Sequence, residues 1–138
     1  MTPVQLPFLT PENALIFRIT HIRNVPWILD HGLHCQSSAV RDPEFVEIGI
    51  RDLIAQRAQQ VVPIPPGGML SDYIPLYFTP RSVMLLKIVT GHGNVQLVPH
   101  RDIVIFVASL RTLAAQDIRF LLTDRHASLA AAQFTNNL

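Results

Sequence analysis

Two arginines, Arg18 and Arg57, are candidates for chemistry because of the segments in which they lie. Arg18 lies inside the otherwise apolar run 14–20, where a buried charge is costly unless it is paired or holds an anion. A half-exposed strand face would explain Arg18 without a ligand. Arg57 lies in an amphipathic segment, where an exposed or ion-paired arginine is the ordinary case. Because the planar guanidinium binds phosphate oxygens through two parallel hydrogen bonds, both residues are candidate anion ligands.

Aromatic and polar side chains form two further candidate groups. Trp27 and the pair Tyr77 and Phe78 either belong to the core or offer faces on which a planar ligand stacks. The segment Thr123–His126 places four polar residues after a predicted strand, a position where functional residues collect. A helix N-cap would explain that segment equally well.

Several common chemistries lack their signatures in this sequence. There is no GxGxxG sequence and no Walker glycine loop, which argues against Rossmann and P-loop nucleotide sites. The six histidines show neither HxxxH nor HExxH spacing, so we expect no metal site. No GxSxG nucleophile elbow is present, so a Ser–His–Asp triad is not predicted.

Length, charge and composition set the general class. The 138 residues are 49% hydrophobic, enough for one core, and we expect a single domain over 1–138 with a loose arm at 1–12. The formal charge of +1 means that any contact with nucleic acid must come from a local patch. Cys35 is the single cysteine, and neither a signal peptide nor a membrane-spanning run is visible. We therefore expect a cytoplasmic protein without a membrane contact.

Patterns of apolar residues, glycines and prolines predict the elements that position these side chains. In the first half, a strand at 14–20 leads into a short helix that Asn24 caps and Gly32 ends. In the second half, the pattern predicts mostly strands. The remaining predictions are a loop at 36–48, a helix at 49–60, a turn at 62–68, strands at 73–78, 83–89, 95–98, 102–108 and 118–122, and helices at 110–116 and 128–134. For 83–89, a short turn that leads into a strand is the alternative.

Four blocks of the sequence resemble, in the same order, those of the DarT family of DNA ADP-ribosyltransferases. They are FRITHIRNVPWILDHGL at 17–33, VPIPPGG at 62–68, DYIPLYFTPRSVML at 72–85 and FLLTDRHA at 120–127. The resemblance implies an α+β fold with a split pair of small β-sheets that holds NAD in the crevice between them. It implies transfer of ADP-ribose from NAD to a base, thymine, in single-stranded DNA. The family's members are toxins, and a macrodomain antitoxin is their partner.

The resemblance also implies roles for individual residues. Arg18, Ile19 and Thr20 would meet the nicotinamide and its ribose, and Trp27 and Cys35 would line the NAD pocket. Part of the family carries histidine where this chain has Arg18. Arg57 would be the catalytic residue, close to both NAD and the target base, and its ordinary pKa favours positioning over proton abstraction. The DNA-binding set combines His126, from the resemblance, with basic groups and aromatic faces at Tyr77, Phe78, Arg81 and Arg125.

The family's catalytic glutamate has no counterpart among Glu12, Glu44 and Glu47. In the family it lies in the last third of a longer chain, so we expect the C-terminal part of the fold to be missing and the 138-residue form to be inactive or nearly so. Two other functions stay open. One is a non-catalytic module that binds NAD or DNA, and the other is a protein-interaction scaffold.

Overall fold

A computed structural model describes residues 10–124, 126–127 and 129–137, apart from the side chain of Asn94. Its elements are two small antiparallel sheets, four short helices and several single 3-10 turns. The first sheet pairs β1 (Leu15–His21) with β2 (Ile103–Ser109), and the second pairs β3 (Leu122–Thr123) with β4 (Phe134–Thr135). The helices are α1 (Val25–His31), α2 (Arg51–Arg57), α3 (Val83–Thr90) and α4 (Leu110–Ala115). The 3-10 turns are Ile22–Asn24, Leu70–Asp72, His92–Asn94 and His100–Asp102.

The two faces of β1 place different side chains next to the candidate site. Ile19 lies opposite Ile105 in the register and packs with Ile88, which is 0% exposed. Because successive strand side chains point to opposite faces, Arg18 and Thr20 lie on the other face of β1. The same face carries Ile16, which is 5% exposed and packs with Ala14 and Leu110 in a second apolar cluster, so Arg18 and Thr20 lie at its polar end.

The loop and helix that follow β1 agree with the sequence except at the helix cap. Gly32 ends α1 at a φ of 80°, and its N–H donates to the Ile28 carbonyl at 2.7 Å. Asn24 precedes α1 but makes no side-chain cap, so that part of the prediction was wrong. Its side chain is buried and bonds to other partners. The predicted loop at 36–48 contains no helix or strand, as expected.

The prediction of a strand at 83–89 is wrong, because these residues form α3. The Ser82 hydroxyl accepts from the Leu85 N–H at 3.1 Å, and Gly91 ends the helix at a φ of 68°. The strand predicted at 95–98 is also absent from the described fold. The Val98 N–H donates instead to the Ile88 carbonyl at 2.9 Å, which packs this segment against the end of α3.

Three more predictions changed in the structure. The strand at 73–78 reduces to one bridge between Phe17 and Tyr77, since Pro75 has no N–H to extend a ladder. The strand at 118–122 shrinks to Leu122–Thr123. The alanine-rich helix at 128–134 was wrong: the described residues there form turns and lead into β4.

The other local predictions are confirmed. Strands at 14–20 and 102–108, helices at 49–60 and 110–116 and the turn at 62–68 are present within one to three residues of their expected bounds. In the predicted arm, residues 1–9 lie outside the described part, while the Thr10 carbonyl accepts from the N–H groups of Asn13 and Ala14. No described helix is long and apolar enough to cross a membrane.

Candidate active site

Two cavities adjoin one another beside β1. The small cavity, about 340 Å³, lies between the end of β1, α1, α2 and the loop 32–50. The large cavity, about 1730 Å³, lies between the segment 66–82, α3, α4 and residues 116–134. Arg57, Tyr77 and His126 line both cavities. A ligand in one cavity can therefore meet a ligand in the other at these side chains.

The candidate residues divide between the two cavities. Those expected to bind the cofactor all line the small cavity, namely Arg18, Ile19, Thr20, Trp27, Cys35 and Arg57. Of the residues expected to bind DNA, Tyr77 and His126 line both cavities, and Phe78 and Arg81 line the large one. Arg125 lies outside the described residues. Residues from distant parts of the sequence therefore come together as two adjoining groups.

Arg18 lies half-buried at the wall of the small cavity. Its Nη1 donates to the Pro75 carbonyl at 3.2 Å, and none of the described carboxylates forms a salt bridge with it. Burial lowers the pKa of the guanidinium; the Tyr77 phenol opposes this shift and the nearby charge of Arg57 adds to it. A cation held in this way gains from any anion that enters the cavity.

Arg57 ends α2 and faces the point where the cavities meet. Its Nη2 donates to two backbone carbonyls, of Leu70 at 2.7 Å and of Tyr73 at 3.2 Å. These bonds fix the guanidinium against the 3-10 turn after the proline-rich segment. Burial lowers the pKa of Arg57, while the Tyr77 phenol opposes the shift. The side chain thus has a fixed orientation, and none of the described carboxylates forms a salt bridge with it.

Tyr77 lies near both arginines. Its backbone is held by the bridge to β1, with the Phe17 N–H donating to the Tyr77 carbonyl at 2.7 Å and the Tyr77 N–H donating to the Phe17 carbonyl at 2.9 Å. Burial raises the pKa of its phenol, and the positive charges of Arg18 and Arg57 act in the opposite direction. The Tyr77 side chain therefore stays protonated and carries a hydroxyl at the junction of the cavities.

A buried amide network holds the loop that covers the small cavity. Asn24 is 0% exposed and Thr20 is 3% exposed. The Asn24 Nδ2 donates to the Thr20 hydroxyl at 3.1 Å and to the Val46 carbonyl at 2.8 Å, while its Oδ1 accepts from the Val46 N–H at 2.8 Å. The Asn24 side chain thus forms hydrogen bonds with both the N–H and the carbonyl of Val46, as the backbone of a neighbouring strand would. This fixes the loop 32–50 to the end of β1.

The opposite side of the small cavity has an aromatic wall. Trp27 stacks on His31 with ring centroids 4.3 Å apart and planes 15° apart, and the ring of His34 meets its edge at 5.7 Å. Both nitrogens of His34 are engaged, one with the Ser38 hydroxyl at 3.2 Å and one with the His31 carbonyl at 2.9 Å. Trp27 is therefore held in place as a fixed surface.

The charged side chains that line the large cavity are mostly positive, and aromatic rings lie among its many aliphatic residues. A single carboxylate, that of Asp72, lies among its described lining residues. That carboxylate is occupied, because it accepts from the Ser37 hydroxyl at 2.5 Å and from the Met69 N–H at 2.8 Å, and both bonds lower its pKa. The cations are Arg57, Arg81, Lys87 and Arg119, and the phenylalanines are Phe78, Phe120 and Phe134. Such a lining suits a polyanion that carries planar groups.

No group of three or more potential metal ligands occurs among residues 10–124, 126–127 and 129–137.

Residues 17–138 match the protein family described as ssDNA thymidine ADP-ribosyltransferase, DarT. The chain belongs to the DarT family. It is 50% identical over 119 residues to a DNA ADP-ribosyl transferase of Escherichia coli O127:H6, covering 86% of this chain and 55% of that relative. A Thermus aquaticus DNA ADP-ribosyl transferase is 39% identical over 128 residues, covering 93% and 57%. The chain therefore spans somewhat more than half the length of these relatives.

Solved DarT structures share the fold. Thermus sp. 2.9 DarT in complex with ADP-ribosylated ssDNA superposes with a TM-score of 0.83 at 35% identity, over 92% of this chain and 60% of that one. The same enzyme in complex with NAD⁺ gives 0.77 at 34% identity, over 94% and 60%. The α+β class, with small antiparallel sheets and short helices, is thus confirmed as a DarT ADP-ribosyltransferase fold.

Some residues of this DarT site could not be recognised from the sequence. The pattern around Asn24 predicts a helix cap, although its amide holds the loop. Lys87 lies in a segment whose pattern predicts a strand, and only the helical register of α3 places it beside Met84 at the large cavity. Arg119 lies in the strand predicted at 118–122, which is reduced to Leu122–Thr123, and the strand pattern did not indicate which cavity its side chain would line.

Proposed function

We propose that this DarT chain forms the part of an enzyme that binds NAD and brings its nicotinamide ribose to a base, thymine, in single-stranded DNA. The observation that carries the proposal is the junction of two cavities at Arg57 and Tyr77. A transfer between two substrates requires that their reacting atoms meet, and adjoining sites achieve this. Thermus sp. 2.9 DarT, a relative with this fold, has been solved with NAD⁺ and with ADP-ribosylated ssDNA.

The small cavity suits NAD. Its arginines, Arg18 and Arg57, supply positive charge for the dinucleotide's phosphates, and Trp27 supplies a fixed aromatic surface. Thr20 and the loop held by Asn24 define one end of the cavity. The resemblance assigns the nicotinamide to the side of Arg18, Ile19 and Thr20.

The large cavity suits single-stranded DNA. Its cations can follow a phosphate backbone, and its exposed aromatic rings can stack on unpaired bases. Lys87 and Arg119 extend the set proposed from the sequence, which contained Phe78 and Arg81. The near-neutral total charge means that DNA affinity depends on this local surface.

The chemistry follows from the arrangement. Breaking the bond between nicotinamide and ribose builds positive charge on the ribose, so the site must fix both parts of NAD while excluding water. We assign Arg57 to orientation of NAD and of the base, because its two bonds to backbone carbonyls hold it in place. Its charge would favour loss of the base's N–H proton to solvent without Arg57 itself accepting that proton.

We further propose that the 138-residue chain alone binds NAD and oligonucleotide but transfers ADP-ribose very slowly. The described carboxylates that line the small cavity are Asp42 and Glu47, both on the irregular loop. Neither matches the family's catalytic glutamate, whose loss would cost orders of magnitude in rate. Stabilisation by millimolar NAD in a thermal shift assay, without product, is the expected result for this chain.

The complete reading frame provides the decisive test. It should convert a thymine-containing oligonucleotide in the presence of NAD into a product heavier by one ADP-ribose, and an oligonucleotide without thymine should stay unmodified. No adduct with the complete chain would refute the transfer, whereas NAD binding without an adduct would support the binding module.

We also propose that the enzyme acts in the cytoplasm as the toxin of a toxin–antitoxin pair whose antitoxin contains a macrodomain. Family membership supports this role, because DarT toxins modify DNA and their antitoxins remove the mark. Induced expression of the complete reading frame should arrest growth, and co-expression of a macrodomain hydrolase encoded beside it should restore growth. Growth that continues while DNA becomes modified would contradict the toxin role.

A further inference from the structure

We infer that the Tyr77 hydroxyl is a catalytic hydrogen-bond donor, which binds the carbonyl oxygen of the target base and stabilises the negative charge that forms there. The inference rests on the proposed function and adds a role that an aromatic face alone would not have. It begins from position, since Tyr77 lies where the two cavities meet and where the reacting atoms must come together.

The two tyrosines of this segment differ in what their hydroxyls do. The Tyr73 hydroxyl donates to the Gly67 carbonyl at 2.6 Å and is used by the fold. Among the described residues, no group forms a hydrogen bond with the Tyr77 hydroxyl. The hydroxyl is not among the buried polar atoms without a partner, and Tyr77 lines both cavities, so a ligand there can accept its hydrogen bond. The fold therefore leaves one hydroxyl available at the junction.

Other polar groups at the junction are less suited to this role. Both ring nitrogens of His34 are engaged, and the Cys35 sulfur lies 3.5 Å from the Ser37 hydroxyl and is a weak donor. Burial and the charge of Arg57 lower the pKa of His126, so its ring tends to be neutral. Tyr77 remains a protonated donor because burial raises the pKa of its phenol.

The bond between the ribose C1′ and nicotinamide breaks, and its electron pair leaves with nicotinamide. The base nitrogen forms the new bond to C1′ with its own electron pair, and the N–H proton passes to solvent water. As that proton leaves, negative charge spreads to the neighbouring carbonyl oxygen, where Tyr77 donates and keeps its proton. Arg18 and Arg57 hold the phenol in a positive field that strengthens this donor.

Tyr77→Phe removes the oxygen and little else. In the complete reading frame, we expect this variant to lower kcat by about 100-fold while the KM for NAD stays the same. Tyr73→Phe provides a structural contrast, since it should lower the unfolding temperature more than Tyr77→Phe does. An unchanged kcat in Tyr77→Phe would overturn the inference.

Oligonucleotides with a modified base test the hydrogen bond directly. Sulfur accepts hydrogen bonds weakly, so 4-thiothymine or 2-thiothymine should slow the wild-type enzyme at whichever carbonyl Tyr77 contacts. The same replacement should not slow Tyr77→Phe further, because that variant has no hydroxyl to donate. Equal slowing of both enzymes by both analogues would overturn the inference. Absence of any adduct with wild-type enzyme and unmodified thymine would instead refute the proposed function.

Discussion

The two cavities differ in how their polar groups are arranged. In the small cavity the polar groups are buried and connected: Asn24 bonds to Thr20 and to both backbone groups of Val46. In the large cavity Arg81 and Arg119 are exposed, and the single described carboxylate is already bonded to neighbouring residues. Fixed geometry suits a ligand of one shape, whereas exposed charge and aromatic faces suit a flexible polymer. Mutations in the small cavity and in the large cavity should therefore impair different properties of the enzyme.

The largest effect is expected at the junction. Arg57→Ala removes a cation that lines both cavities and frees the carbonyls of Leu70 and Tyr73. We expect ADP-ribose transfer by the complete reading frame to fall by about 100-fold or more, measured by mass spectrometry of the oligonucleotide. Arg51→Ala, at the exposed start of the same helix, should transfer at the wild-type rate. Equal rates for both variants would show that the junction does not depend on Arg57.

Arg18 should separate stability from ligand binding in the small cavity. Arg18→Met removes a half-buried charge that has no acidic partner among the described residues, so unliganded stability should stay close to wild type even without the bond to Pro75. The affinity for NAD should fall by about tenfold or more, because the variant cannot form a charge-assisted hydrogen bond to the dinucleotide. Thermal shifts at several NAD concentrations measure both quantities. Arg23→Met, an exposed control, should keep the full NAD-dependent shift. If Arg18→Met also kept it, Arg18 would be a structural residue.

The large cavity should respond to salt more than to shape. Alanine at Arg81, Lys87 or Arg119 should each weaken oligonucleotide binding several-fold and reduce the slope of log affinity against log salt by about 0.7 for each phosphate that is no longer neutralised. Fluorescence anisotropy at several salt concentrations gives this slope. Arg111→Ala, on the exposed side of α4 and away from both cavities, serves as the matched control. Identical slopes for all variants would place the DNA elsewhere.

The smallest effect concerns pH. Burial first, and then the charge of Arg57, lowers the pKa of His126 from 6.5. The folded state therefore favours the neutral ring. The contribution of this ring to the free energy of unfolding is fully present above pH 6.5, the ordinary pKa of histidine, and is lost as the pH falls towards the lower pKa of the folded state. The midpoint of urea unfolding should fall over this range, and His126→Gln should reduce that fall. His92→Gln, in an exposed turn, should leave it unchanged. A pH dependence that survives in His126→Gln would assign it to other groups.

Sequence patterns located the small cavity better than the large one, for a physical reason. The residues of β1 and α1 are close in sequence, and their order follows from alternation, Pro26 and Gly32. The block resemblance then links them to Arg57. The large cavity depends on residues that meet only after folding. The pattern of helix α3 predicts a strand because the run VMLLKIV is apolar at every position except Lys87, which hides the helical period.

Tertiary contacts also overruled local preference near the end of the chain. Alanine favours a helix, but Phe134 pairs with Thr123 in β4 and β3 instead. Asn24 has the right type for a helix cap and is used to hold Val46 across 22 residues. Such long-range choices leave no periodic signal in a single sequence, so they could not be predicted.

The bridge between Phe17 and Tyr77 sets the register of the segment that carries the catalytic hydroxyl. Two backbone hydrogen bonds fix which side of the segment after the proline-rich turn faces the arginines. Because side chains alternate along an extended chain, a slip of one residue would turn Phe78 towards the junction and carry the phenol away from it. An insertion or deletion between Gly68 and Pro75 that shifted this register would therefore place a bare ring at the junction in place of the hydroxyl, although Tyr77 itself was not substituted.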